Sequence, residues 1–181
     1  MKLHEYQAKQ LFASAGIPVP RGIPAKTPQD AAAAYERLKQ QCRGAADFAC
    51  NVKAQLHAGG RGKAGGILVA HSADEAASQA SSLLGRRLVT RQTGADGLPV
   101  SAVLCDERIA VERELYLAFT LDRFRATPMV LASRQGGVDI EDVAAASPEA
   151  ILREPIDSPR TTGSPVCEPR SNNLERGEAV V

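Results

Sequence analysis

The sequence predicts an α+β chain in which mainly antiparallel sheets are flanked by helices, and three observations carry that prediction. Capped amphipathic segments alternate with short β-type runs up to residue 85, and hairpin signals dominate from Arg87 onward. Between two runs that read as strands lies the glycine-rich stretch "KAQLHAGGRGKAGGILVA", Lys53 to Ala70. At 181 residues, 44% hydrophobic and 24% charged, the chain has the composition of one globular domain or two small lobes.

The helices follow from capping and periodicity. His4–Ala15 sets Tyr6, Leu11 and Ala15 near one face and stops at Gly16, Pro18 and Pro20. "TPQDAAAAYERLKQQ" starts on Thr27 as N-cap, with Pro28 at the first helical position, and its apolar stripe is Ala31, Ala34, Tyr35 and Leu38. A third helix opens at Ser72 and Glu75, spaced as a capping box, and ends at Gly85. "DFACNVKAQ" and "GGILVA" form a hairpin with a flexible basic tip. "RLVTRQ", a turn at Ala95–Gly97, "VSAVLCDE", "RELYLAFTLDR" and "TPMVLASRQGG" supply further antiparallel strands. Ser147-Pro148-Glu149 is a capped helical turn closing before Pro155. After Asp157 the prolines at 159, 165 and 169 and the scattered charges leave no periodicity, so residues 158–181 read as an unpacked, disordered tail.

Composition excludes several functions. A net charge of +1, aromatics at 4% and no Trp argue against a nucleic-acid binder, which needs a basic excess and stacking platforms. No apolar run approaches the roughly 18 residues of a membrane span, and "MKLHEYQAKQ" lacks the apolar centre of a signal peptide, so a cytoplasmic chain with no membrane partner is expected. Cys42, Cys50, Cys105 and Cys167 lie far apart without a CxxC pair, which fits reduced thiols rather than a zinc site.

Gly59-Gly60-Arg61-Gly62-Lys63 has the ingredients of a phosphate cradle. Glycines let backbone N–H groups approach phosphate oxygens, and a nearby Lys or Arg neutralises them. It is not a Walker loop, because Ala64 follows Lys63 and leaves no hydroxyl for magnesium. Nor is it a dinucleotide fingerprint, since it does not open a helix. On its own the pattern fits a solvated Gly-rich hairpin better than a phosphate site.

Context comes from "LHEYQAKQLFASAGIPVPRG", "VKAQLHAGGRGKAGG", "LGRRLVTRQT", "ERELYLAFTLDR" and "QGGVDIEDVAAASPEAILREPID". These five blocks, in order over residues 1–157, resemble the N-terminal portion of the succinate–CoA ligase β subunit, ADP-forming type, in the ATP-grasp superfamily. The resemblance implies an incomplete ATP-grasp fold. Residues 21–107 would form the nucleotide-binding lobe, 1–20 plus 108–157 part of the second lobe, and 158–181 a divergent tail. It implies ATP or ADP as ligand, bound by Lys53, Gly60, Arg61, Gly62, Glu107, Ile109 and Glu114. Glu107 would lie in the hinge at the adenine or ribose end and Ile109 along the adenine edge. Pro20 matches a position linked to the choice between adenine and guanine nucleotide and suits the ADP-forming type.

The implied reaction interconverts succinyl-CoA, ADP and phosphate with succinate, CoA and ATP in the tricarboxylic acid cycle. The phosphohistidine is carried on an α subunit, the implied partner. No catalytic residue is therefore expected here, and His57 reads as a packing side chain. Family members continue beyond residue 157 with the Asn and Asp that hold Mg²⁺ and with a further domain. No metal ligand is expected in this chain, which reads as truncated, frameshifted or a fragment. The alternatives are a remnant that binds nucleotide without turnover and the β subunit of a related malate–CoA ligase.

Overall fold

A computed structural model of the chain describes residues 2–42 and 47–156. The expectation for residues 158–181 lies outside the described residues. The chain divides into two units, Met1–Glu112 and Arg113–Val181. The first unit therefore includes the N-terminal helix, a different cut from the sequence-based grouping of residues 1–20 with 108–157.

The first unit runs α1 (Glu5–Ser14), β1 (Gly22–Ala25), α2 (Pro28–Gln41), β2 (Cys50–Ala54), β3 (Ile67–Ala70), α3 (Ala73–Leu83), β4 (Arg87–Leu88), β5 (Leu98–Pro99) and β6 (Val103–Glu107). Its main sheet has the order β1-β6-β2-β3, antiparallel throughout, and β4-β5 form a separate ladder. The expected hairpin is present as β2-β3, with Lys53 opposite Ile67 and the basic loop at its tip. Two features were not expected. β6 inserts between β1 and β2 from a distance in sequence, and Gly22–Ala25 forms a strand despite Pro24, which is tolerated because β1 is an edge.

Alternation on β2 and β6 sorts the side chains. Cys50, Val52 and Ala54 alternate inward, and Val103 and Cys105 join them in a core with Ala31, Ala34, Tyr35 and Leu38 of α2 and Ala76, Ala80 and Leu83 of α3. The opposite face carries Asn51 and Lys53 from β2 and Leu104 and Asp106 from β6, Asn51 pairing with Asp106 and Lys53 with Leu104. Caps hold the two core helices as the sequence predicts. Thr27 Oγ1 accepts from Asp30 N–H at 3.1 Å, and Ser72 Oγ accepts from Glu75 N–H at 3.1 Å. The Glu75 carboxylate accepts from His71 N–H, one residue ahead of the cap, at 2.7 Å.

α1 departs from expectation, since none of its residues is buried and Leu11 is 55% exposed. It is held by polar contacts. Lys9 pairs with Asp106, Glu5 with Lys53 and Arg61, and Tyr6 N–H donates to Gln55 Oε1 at 3.3 Å.

The second unit contains β7 (Tyr116–Asp122), β8 (Thr127–Ser133), α4 (Ile140–Ala146), a 3₁₀ turn at Pro148–Ala150 and β9 (Leu152–Pro155). The strands form one antiparallel sheet, β7-β8-β9. α4 and β9 exceed the single helical turn read from the sequence. Pro155 ends β9 on an edge, where its missing N–H costs no ladder bond. Side chains on one face of β7 stay open to solvent, with Leu117 at 65% and Phe119 at 72% exposure.

The Tyr35 hydroxyl lies 2.6 Å from His71 O and 3.1 Å from Phe48 O, tying α2 to both strands of the β2-β3 hairpin at the end away from the glycine loop. Tyr35→Phe should therefore cost about 1 kcal/mol of unfolding free energy in urea titration, the typical net value of one hydrogen bond. Leu38→Ala, at a fully buried site, should cost about 3 kcal/mol by loss of transfer energy and creation of a cavity.

Candidate functional site

The Lys53 ammonium lies on the face of the sheet away from the helical core, 2.7 Å from Asp106 Oδ2 and 3.2 Å from Glu5 Oε1. Asp106 is 2% exposed and also receives Lys9, so two lysines from different elements neutralise one buried carboxylate. The Glu5 carboxylate spans two cations, with its second oxygen 2.7 Å from Arg61 Nη2. Arg61 is anchored independently by donating from Nη1 to the Ala54 carbonyl at 2.6 Å. Gln55, 1% exposed, lies between these groups, its amide N–H donating to Lys53 O at 3.2 Å.

The electrostatics follow from this pairing. Burial would raise the Glu5 pKa, but the Lys53 charge and the Arg61 hydrogen bond outweigh it and hold the carboxyl below its usual range. Burial likewise opposes the charge on Lys53. The hydrogen bond that Lys53 donates to Asp106 and the charge of Glu5 prevail and hold its pKa above the ordinary lysine value. His4 stacks on His57 with centroids 4.1 Å apart, and its pKa is lowered by burial, then by His57 and Arg61.

The glycine loop is wound into turns by its own backbone. Ala64 N–H donates to Gly60 O at 3.2 Å and Gly66 N–H to Arg61 O at 2.8 Å. Gly60 has φ +74°, which excludes most side chains. At Gly66 an added Cβ would lie 3.1 Å from Arg61 O and 3.2 Å from Leu88. Gly62 differs, because its φ is not positive and an added Cβ would stand 3.7 Å from its nearest neighbour, Ile67. Packing does not require glycine there. Gln92 steadies the loop base by accepting from Gly59 N–H at 2.8 Å. An open cleft of about 400 Å³ adjoins the loop, lined by Lys2, Glu5, His57, Gly59, Arg61 and Gln92.

The expected site residues are thus distributed unevenly. Lys53 and Arg61 converge, with Gly60 and Gly62 beside them. Glu107, one residue beyond Asp106, falls on the other side of the strand, and its carboxylate accepts from Arg21 N–H at 3.3 Å. Ile109 follows β6 and is 51% exposed. Glu114 belongs to the second unit, where Gly136 N–H donates to its carbonyl at 3.1 Å and a Cβ on Gly136 would meet its backbone at 2.5 Å. That close approach accounts for the glycine in "QGGVDIE".

Asp106, Glu5, Lys9 and Gln55 were not singled out from the sequence. Strict alternation along "VLCDE" was the available signal for Asp106, since inward Val103 and Cys105 place Leu104 and Asp106 on the Lys53 face. Nothing local marked Glu5 as a partner of residues 48 and 56 positions away.

The ATP-grasp domain family matches residues 2–168. The chain belongs to the ATP-grasp family. Over 157 residues it is 49% identical to a protein of Persephonella marina named succinate–CoA ligase [ADP-forming] subunit beta, covering 87% of this chain and 39% of that protein. A protein of the same name from Laribacter hongkongensis is 51% identical over 158 residues, again 87% of this chain and 39% of the relative. The chain thus spans about 39% of the length of these relatives, at their N-terminal end. Among solved structures, ATP citrate lyase from Methanothrix soehngenii in complex with citrate and coenzyme A superposes with a TM-score of 0.61 at 20% identity. That match covers 88% of this chain and 35% of the other, and it supports the fold.

ATP-grasp ligases as a class use ATP or ADP with Mg²⁺. Among the described residues no group of three or more His, Cys, Asp or Glu side chains is placed to hold a metal. The carboxylates nearest the loop, Glu5 and Asp106, are engaged by Lys and Arg. No helix among the described residues is long and apolar enough to cross a membrane.

Asp106→Asn should destabilise the fold by about 3 kcal/mol in urea titration, because it leaves Lys9 and part of the Lys53 charge without their buried partner. Glu107→Gln should change it by less than about 0.5 kcal/mol, as expected for a surface position.

Acid should weaken the fold in two steps. The folded state disfavours protonated His4, so stability falls as pH drops below the ordinary histidine value of 6.5. Ionised Glu5 contributes above the ordinary value of 4.5, and that contribution is lost as pH falls through its lower folded value. Urea midpoints measured between pH 7 and 3.5 should decline accordingly, and Glu5→Gln should flatten the lower part of the curve.

Proposed function

We propose that this chain is the nucleotide-binding part of a succinate–CoA ligase β subunit, acting in the cytoplasm and holding the phosphates of ADP or ATP on Lys53, Arg61 and the Gly60–Gly62 turn. The observation that carries this reading is the convergence of Lys53 and Arg61, from a strand and a loop, on one carboxylate at 3.2 and 2.7 Å. Two cations that clamp a single anion suit a phosphate oxygen, with lysine as a compact charge and arginine as a directional fork. A glycine at 62 that packing does not require supports the same placement. Ile109 and Glu107 serve the nucleoside end, and Glu114 is a further nucleotide contact in this reading.

In the intact enzyme the reaction couples succinyl-CoA, ADP and phosphate to succinate, CoA and ATP in the tricarboxylic acid cycle, through a phosphohistidine on an α-subunit partner. This part of the β subunit positions charge and makes no covalent bond to substrate. Mg²⁺ would neutralise phosphate charge when bound with nucleotide.

Calorimetric titration with ADP tests the assignment. Arg61→Ala and Lys53→Met should each raise Kd about 10- to 100-fold, the equivalent of roughly 1.5–3 kcal/mol for a charged hydrogen bond. Equal affinity for wild type and both variants would sink it. A turnover assay with α subunit added separates catalysis from binding alone.

A further inference from the structure

Glu5 stands where an anionic ligand of Lys53 and Arg61 would stand. Its two oxygens engage the two cations at 3.2 and 2.7 Å, as two oxygens of a phosphate would. Neither cation depends on it for position. Lys53 keeps Asp106 at 2.7 Å, and Arg61 keeps the Ala54 carbonyl at 2.6 Å. A carboxylate that only held these side chains in place would duplicate anchors that already exist.

The element carrying Glu5 is suited to release it. α1 has no buried residue, so withdrawing its first turn takes none of the helix's own side chains out of a core. Glu5 is the first residue of that helix, where the positive end of the helix dipole stabilises a carboxylate after its cations are taken away. The open cleft of about 400 Å³ beside it is lined by Lys2 and His57, which gives the released side chain room and water.

We propose that Glu5 is an internal counter-anion that occupies the phosphate donors of Lys53 and Arg61 and is displaced by the phosphates of a nucleoside di- or triphosphate. The first turn of α1 is then a built-in competitor of the ligand. It keeps two partly buried cations paired when the site is empty and lowers the affinity of the site by the cost of displacement. This rests on the reading of Lys53 and Arg61 as phosphate donors.

The test is calorimetry on the 181-residue chain with ADP and, separately, inorganic pyrophosphate, comparing wild type, Glu5→Gln, Lys53→Met and Arg61→Ala. Glu5→Gln should bind both ligands about three- to tenfold more tightly, the scale of one partly screened charge pair. The Lys53 and Arg61 variants should weaken both. Unchanged or weaker binding by Glu5→Gln, with the two cation variants still weakened, overturns the competitor and leaves the nucleotide site standing. Cation variants that bind like wild type overturn both readings, as does absence of binding in wild type and Glu5→Gln alike. Binding that appears only in Glu5→Gln supports the competitor.

A ¹³C carboxyl titration of wild type gives an independent readout that a purely structural role would not move. On saturation with ADP the Glu5 pKa should rise toward the ordinary carboxylate value, because it has lost its cations. A Glu5 titration unchanged by ADP overturns the proposal even if the variant itself folds poorly.

Discussion

A carboxylate at 2% exposure on an interior strand is tolerated only if cations come to it, and Asp106 on β6 draws them from two directions. Lys53 arrives from the neighbouring strand β2 and Lys9 from α1. The pairing docks a helix that has no buried apolar residue against the sheet and aims Lys53 along the surface beside the glycine loop. It also gives the insertion of β6 between β1 and β2 a chemical consequence, since that order brings Asp106 and Lys53 onto one face.

From Asp106 the charges run outward through Lys53 and Glu5 to Arg61, alternating in sign. Each cation meets at least two oxygen acceptors, yet the side chains of Lys53 and Arg61 retain 19% exposure. That combination holds the cations in place and leaves them reachable by a ligand. The loop adds rigidity of its own. Its turns close by backbone hydrogen bonds, Gly60 adopts a left-handed conformation, and Gln92 clamps the base. Gly62 alone in this turn is glycine without a packing reason.

The two units use apolar side chains differently. In the first, α2 and α3 cover one face of the four-stranded sheet and Ala, Val, Leu and Tyr side chains are fully enclosed. In the second, Val143 and Ile151 are the buried hydrophobics among the described residues, while Leu115, Leu117, Phe119 and Leu121 of the β7 region are more than half exposed. Glu114 is nevertheless firmly placed, because Gly136 packs directly on its backbone.

Local chemistry alone determined the elements that close within a few residues. The Thr27 and Ser72 caps, the apolar stripe of α2 and the β2-β3 hairpin with its basic tip needed only short-range spacing, and the family resemblance could rest on blocks of contiguous sequence. Pairing between distant segments belonged to the tertiary structure. β1 and β9 contain proline and are strands only because an edge position relieves them of a donor, while α1 is held by charges on residues far along the chain. The site divides in the same way. Lys53 and Arg61 could be named from glycine-rich context, whereas the choice of Asp106 over its neighbour Glu107 came from strand register. Glu5 became their shared partner because folding closes loops of 48 and 56 residues, a contact that no local pattern encodes.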